Sequence, residues 1–180
     1  MNTRNHQVLF NGLVIHIEQF DAAIGAQGMH TFQVIRHPGG AGVLPVHDDG
    51  SISLIRQLRP AVAATLLEIP AGRLGPAEEP LHCARRELVE ETGLRADRLV
   101  SLGLIHSSPG VFDEIIHLYA ATGLTAGAAE PEEDEEIEVV RLPLSEALLL
   151  AARGEISDAK TLAALFRWEL ARRGEALADA

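Results

Sequence analysis

GRLGPAEEPLHCARRELVEETGL, residues 72–94, decides how this chain is read. Gly72, Glu78, Arg86, Glu87, Glu90, Glu91 and Gly93 fall in it in fixed order, with apolar Leu88 and Leu94 between and after them. Pro80 suits the first turn of a helix, where its missing N–H costs little, and Thr92-Gly93 suits the end of one. Glu87, Glu90 and Glu91 are spaced i, i+3, i+4, so on that helix they share a face. Leu81, Ala84 and Leu88 form the expected buried side, next to the acidic one. Three crowded carboxylates repel one another unless a cation sits among them. Hard divalent cations take oxygen ligands, with water and phosphates completing the shell. The local chemistry therefore points to a metal site that handles a phosphorylated substrate. The plainer alternative is a solvated acidic helix paired with Arg85 and Arg86, but helix propensity alone does not call for Gly72, Gly93 and the full spacing.

Outward from this stretch, short strand patterns precede the helix. Residues 8–10 and 13–20 read as strands around the turn Asn11-Gly12, the second with a period-two alternation. Residues 31–36 follow, then the break Pro38-Gly39-Gly40. Residues 42–46 and 51–56 are expected to pair as a hairpin about Asp48-Asp49-Gly50, and residues 66–69 lead into the motif. After it, residues 99–105, 115–120 and 137–142 read as strands, with Ser107-Ser108-Pro109-Gly110 as a loop. Residues 126–136, rich in Ala, Gly and acid, are expected to be mobile or to face solvent. Residues 145–153 and 159–173 read as helices, the second with an apolar stripe of Leu162, Leu165, Phe166 and Leu170 for the core. Strands interrupted by one helix, with helices at the end, indicate an α+β fold.

Composition narrows the classes. The chain has 180 residues, 47% of them hydrophobic, enough for a core and for about one domain. Its net charge of -11, from 26 acidic and 15 basic side chains, excludes a general nucleic-acid binder. A nucleotide substrate stays compatible, since local arginines and a metal reverse the field in one cleft. Cys83 is the only cysteine, so no disulfide forms within the chain. No apolar run approaches the ~20 residues that span a bilayer, and the first residues lack the apolar core of a signal peptide. We expect a cytoplasmic protein with no membrane and no nucleic-acid partner.

The motif resembles the signature of the Nudix hydrolase family, G-x5-E-x7-R-E-U-x-E-E-x-G-U with U bulky and aliphatic, and all nine specified positions match from Gly72 to Leu94. The resemblance covers residues 36–155 well. It implies an αβα sandwich around a mixed β-sheet, with the motif as a loop–helix–loop. It also implies a division into residues 1–35, a small β segment contributing to a homodimer, and residues 36–180, the hydrolase domain. The implied cofactor is Mg²⁺, with Mn²⁺ as a substitute. Its implied ligands are Glu87, Glu90, Glu91 and the backbone carbonyl of Ala71. Arg86 would orient the glutamates by charge-assisted hydrogen bonds, with Glu78 as a supporting partner. Gly72 and Gly93 read as backbone necessities.

Other stretches resemble the ADP-ribose pyrophosphatase and nucleoside diphosphate sugar hydrolase subgroup: His37-Pro38-Gly39, Arg56-Gln57-Leu58-Arg59-Pro60, Leu67-Glu68-Ile69-Pro70-Ala71, and Pro109, fifteen residues after Leu94. The resemblance implies hydrolysis of ADP-ribose to AMP and ribose 5-phosphate. The alternatives are a broader hydrolase acting on GDP-mannose or ADP-glucose, or a non-catalytic nucleotide-sensing module. Arg59, then Arg56, are the implied phosphate ligands, since the planar guanidinium binds phosphate bidentately. Glu68 joins them in substrate binding, and Glu114 is the implied partner of a ribose hydroxyl. The implied base is Glu133, with Glu135 as a metal ligand or alternative base. The register within Glu132-Glu133-Asp134-Glu135-Glu136 stays open, as does the partner of the nucleobase.

Overall fold

A computed structural model describes residues 2–128 and 137–174. The chain divides into two compact units, Met1–Gly39 with His106–Ile115, and Gly40–Ile105 with Ile116–Ala180. In the first, β1 (Thr3–Asn11), β2 (His16–Ala23) and β3 (Met29–Arg36) form an antiparallel sheet in that order. Gly12 N–H donates to the Ile15 carbonyl at 2.9 Å and closes the first turn. Phe20 is buried, stacked with His6 at 5.2 Å, and the Arg36 guanidinium lies 5.7 Å from its ring centre. The loop before Ile115 belongs to this unit because Ile35 N–H donates to Val111 O at 2.8 Å and Asp113 N–H returns to Ile35 O at 3.1 Å.

The second unit contains β4 (Gly40–Pro45), β5 (Ser51–Arg59), β6 (Ala64–Glu68), β7 (Ala71–Arg73), α1 (Pro80–Thr92), β8 (Leu94–His106), β9 (Ile115–Ala126), β10 (Ile137–Pro143), α2 (Leu144–Ala152) and α3 (Ala159–Arg172), with β8 and β9 running into the loop already described. One sheet has the order β7-β4-β9-β8, with β4 antiparallel to β7 and parallel to β9; a second, β10-β5-β6, is antiparallel. Every residue of β4 is buried. Ala41 and Val43 join Ala121 of β9 in packing with Cys83, Ala84 and Leu88 of α1. Leu44, with Leu118 and Ala120, packs with Ala164 and Leu165 of α3. Alternate residues of one strand thus serve opposite faces, and the mixed sheet lies between helical layers, an α+β sandwich. No helix among the described residues is long and apolar enough to cross a membrane.

Three local expectations are corrected. The turn at Asp48-Asp49-Gly50 forms, with His47 N–H on Ser51 O at 2.8 Å, but the hairpin stops at the single bridge Val46↔Ile52. A strand buried on both faces needs two covering layers and two strand partners. β4 therefore runs between β7 and β9, and β5 between β10 and β6. Leu81 is 38% exposed; the buried arc of α1 is Cys83, Ala84, Glu87, Leu88 and Glu91. The arc is turned toward the glutamates because small Cys83 and Ala84 allow close approach to the sheet while Glu91 hydrogen-bonds the strand beneath. Phe166 of α3 is 62% exposed rather than in the core. The contacts of Lys160 and Thr161 with β6 turn that helix so that Thr161, Ala164 and Leu165 face inward.

Candidate active site

The chain leaves β6 through Glu68-Ile69-Pro70 and enters β7, and successive residues of this passage are held from different directions. Ile69 N–H donates to Thr161 Oγ1 at 2.8 Å, the Pro70 carbonyl accepts Val43 N–H at 2.9 Å, and Ala71 N–H donates to Glu91 Oε2 at 2.8 Å. The last bond ties the motif helix to the residue whose carbonyl is the expected metal ligand. Gly72 follows, and a Cβ there would overlap the Glu87 carboxylate, so a side chain at this position would displace that carboxylate from its place over the loop. At the far end of α1, Gly93 takes φ +69° and its N–H closes on Val89 O at 2.8 Å, a left-handed cap suited to glycine.

Arg86 organises the acidic side chains. Its Nη1 donates to Glu87 Oε1 at 2.6 Å and to Glu90 Oε2 at 2.8 Å, and its Nε donates to Glu78 Oε1 at 3.0 Å. Glu78 in turn accepts Gly75 N–H at 2.8 Å, which pins the loop ahead of the helix. The Glu78 hydrogen bond, with the Glu87 and Glu90 charges, raises the Arg86 pKa against the opposing effect of burial, and the same contact lowers that of Glu78. Cys83 is buried, its thiol pushed up to about 12 chiefly by burial, and it lies 3.5 Å from the Arg73 carbonyl. It is a packed residue at the loop–helix contact.

The structure therefore brings Ala71, Arg86, Glu87, Glu90 and Glu91 together, with Glu87 and Glu91 buried. Among the described residues no three His, Cys, Asp or Glu side chains already converge as a metal cage. Glu87 and Glu90 are drawn onto Arg86 and Glu91 onto the Ala71 amide. The donor chemistry nevertheless fits a hard divalent cation, since carboxylates and a backbone carbonyl offer oxygen only.

The substrate candidates separate. Arg59 forks onto Glu68, Nε to Oε1 and Nη2 to Oε2, each at 2.8 Å. Its pKa is raised first by this hydrogen bond, opposed by burial, and further by the Glu68, Glu91 and Asp158 charges. Glu68 has no exposed surface. Arg56 lies apart, cross-strand from Glu138 and 3.6 Å from its carboxylate, with both side chains at least half exposed. Glu114 belongs to the first unit, where it lies 3.3 Å from His37 Nδ1. Glu133 and Glu135 lie outside the described residues.

Sequence reasoning missed Asp158, Lys160 and Thr161. Lys160 Nζ reaches Glu68 Oε2 and, at 3.0 Å, Asp158 Oδ1. One signal was available: Lys160 is the only lysine of the chain, against fourteen arginines.

The chain is similar to several known proteins. The model of the NUDIX domain matches residues 36–165. The ADP-ribose pyrophosphatase of Bacillus subtilis (strain 168) is 38% identical over 159 residues, which cover 87% of this chain and 86% of that protein. The GDP-mannose pyrophosphatase of Cronobacter sakazakii (strain ATCC BAA-894) is 38% identical over 151 residues, 78% of each chain. The fold is that of a solved ADP compounds hydrolase, with TM-score 0.82 and 24% identity over 97% of this chain and 96% of the other.

Proposed function

Because this chain belongs to the Nudix family and is a pyrophosphohydrolase of it, we propose that it hydrolyses the pyrophosphate bond of ADP-ribose, with Mg²⁺ as cofactor, to AMP and ribose 5-phosphate. The observation that carries this reading is the tie between Glu91 and the Ala71 amide, beside the Glu87 carboxylate laid over Gly72. It sets an all-oxygen donor group against the loop that the motif opens. Bound there, Mg²⁺ neutralises phosphate charge and lowers the pKa of water, and Mn²⁺ supplies the same chemistry. Glu87, Glu90, Glu91 and the Ala71 carbonyl would hold the ion, and Arg86 keeps Glu87 and Glu90 aligned. Arg59 grips a phosphate of the substrate through the guanidinium edge that its fork on Glu68 leaves, Glu68 holding it in place; Arg56 assists, and Glu114 accepts a hydrogen bond from a ribose hydroxyl. Glu133 takes the proton of the attacking water as that water's oxygen bonds to one phosphorus and the bridging oxygen leaves with the other. Glu135 stands by as a ligand or alternative base.

A second reading keeps the chemistry and widens the substrate to GDP-mannose and related sugar nucleotides; its support is the equal identity to a GDP-mannose pyrophosphatase. Two chains pair through the N-terminal sheet, where Val8, Phe10 and Leu13 are exposed. The experiment is product identification with Mg²⁺ against ADP-ribose, ADP-glucose, GDP-mannose and nucleoside triphosphates. Selective conversion of ADP-ribose to AMP, lowered at least about 100-fold in Glu91→Gln and in Glu133→Gln, supports the first reading. Comparable rates on several sugar nucleotides establish the second. Undiminished turnover in Glu91→Gln rejects the metal site.

A further inference from the structure

The contact of α3 with the exit of β6 is more elaborate than packing requires. Asp158 caps the helix, accepting Thr161 N–H at 2.9 Å and the Thr161 hydroxyl at 2.6 Å. Thr161 Oγ1 in turn accepts Ile69 N–H, and the neighbouring Lys160, 9% exposed, reaches Glu68. Two adjacent residues of one helix thus hold two adjacent residues of the passage leading to Ala71. Glu68 carries two cations, the Arg59 fork and the Lys160 ammonium, and Asp158 completes a charge-balanced group of four. Arg59 alone of the four is more than a third exposed.

We propose that Lys160 is a positioning residue for phosphate recognition: by gripping Glu68 from the helix side it sets the plane and reach of the Arg59 guanidinium. This rests on the reading above that Arg59 takes a substrate phosphate. The fork uses Nε and Nη2 and leaves the Nη1 edge directed away from Glu68 for an incoming anion. A buried carboxylate faced by one cation holds it with its whole charge, in competition with any phosphate. A second cation shares that charge and leaves Arg59 more attractive to the substrate. The choice of lysine follows. The arginine fork already engages both oxygens of Glu68, and a second planar fork has no matching edge. A compact ammonium on a slender stem still reaches Oε2. The influence of Glu91 on Arg59 places this group within the field of the motif carboxylates.

The test uses the full chain and two readouts. Titration calorimetry measures ADP-ribose affinity in EDTA, where no turnover occurs, and steady-state kinetics with Mg²⁺ give KM and kcat separately. Lys160→Met weakens binding and raises KM about tenfold, with kcat held within about twofold, and Lys160→Arg, which restores the charge without a matching edge, recovers only part of the loss. In the Arg59→Gln background Lys160→Met has no further effect. Wild-type affinity in a folded Lys160→Met, even with a lowered Tm, overturns the proposal by reducing Lys160 to a structural tie. So does the same tenfold loss without Arg59. If Lys160→Met fails to fold, Lys160→Gln carries the same expectation. A wild-type chain that binds ADP-ribose without hydrolysing it defeats the functional reading while the binding comparison still decides this one. A wild-type chain that neither binds nor hydrolyses it overturns both.

Discussion

Glu68 shows how a single buried charge is kept. Burial alone pushes its carboxyl toward protonation, yet hydrogen bonds from Arg59 and Lys160 outweigh that and bring its pKa below the ordinary 4.5. The sign of the pH dependence follows. A carboxyl whose folded pKa is depressed leaves the unfolded chain binding more protons through that window. Its contribution is therefore complete above about pH 4.5 and is lost as pH falls through the folded value. A protonated glutamate resembles glutamine, so urea unfolding of wild type and Glu68→Gln should differ most at neutral pH and converge as pH falls below 4.5. A difference that stays constant down to about pH 3 would remove Glu68 ionisation from the account. Gly72 belongs to the same scale: a side chain there would displace the Glu87 carboxylate, a contact that its reading as a backbone necessity did not include.

Among the elements, α1 and α3 contrast in what sequence could tell. The start, end and acid spacing of α1 are local properties, readable from Pro80, Gly93 and the motif. Its buried arc was misjudged at Leu81 because Glu87 and Glu91, though charged, are on the packed side. α3 was placed correctly along the chain, and Leu165 and Leu162 of its stripe do reach the core, but Phe166 does not, because Thr161 and Lys160 turn the helix. Their partners are 92 residues away in sequence, beyond any periodicity. Asp158 is the hinge of that arrangement as both cap and partner of Lys160. Asp158→Ala should lower unfolding stability by about 1–2 kcal/mol, read from the urea midpoint with unchanged slope. An unaltered midpoint would mean that solvent caps the helix equally well.

For the whole molecule, association is the open property. Val8, Leu9 and Phe10 of β1 and Leu13 and Val14 of the turn after it are exposed, and the pairing proposed above would cover part of that apolar area. Light scattering after size exclusion should show a dimer for wild type and a monomer for Phe10→Asp combined with Leu13→Asp, with the fold retained by circular dichroism. A wild-type monomer at tens of micromolar would assign that surface another role. The two compact units also reveal that the loop around Pro109 goes with the first sheet, through the pairing of Ile35 with Val111 and Asp113. Chain position alone does not disclose that.

By itself the sequence determined the family, the α+β class and the motif helix, with its glutamates on one side. These depend on spacing within about two dozen residues, where helix geometry turns order into shared faces. Tertiary structure alone decided that residues 42–46 and 51–56 part into two sheets. It also decided that Leu81 and Phe166 face outward and that Arg59 is locked to Glu68, with Lys160 behind it. Each of these outcomes depends on which distant groups compete for one buried surface or one buried charge. That competition is settled by packing and charge pairing across the fold, which local order does not encode.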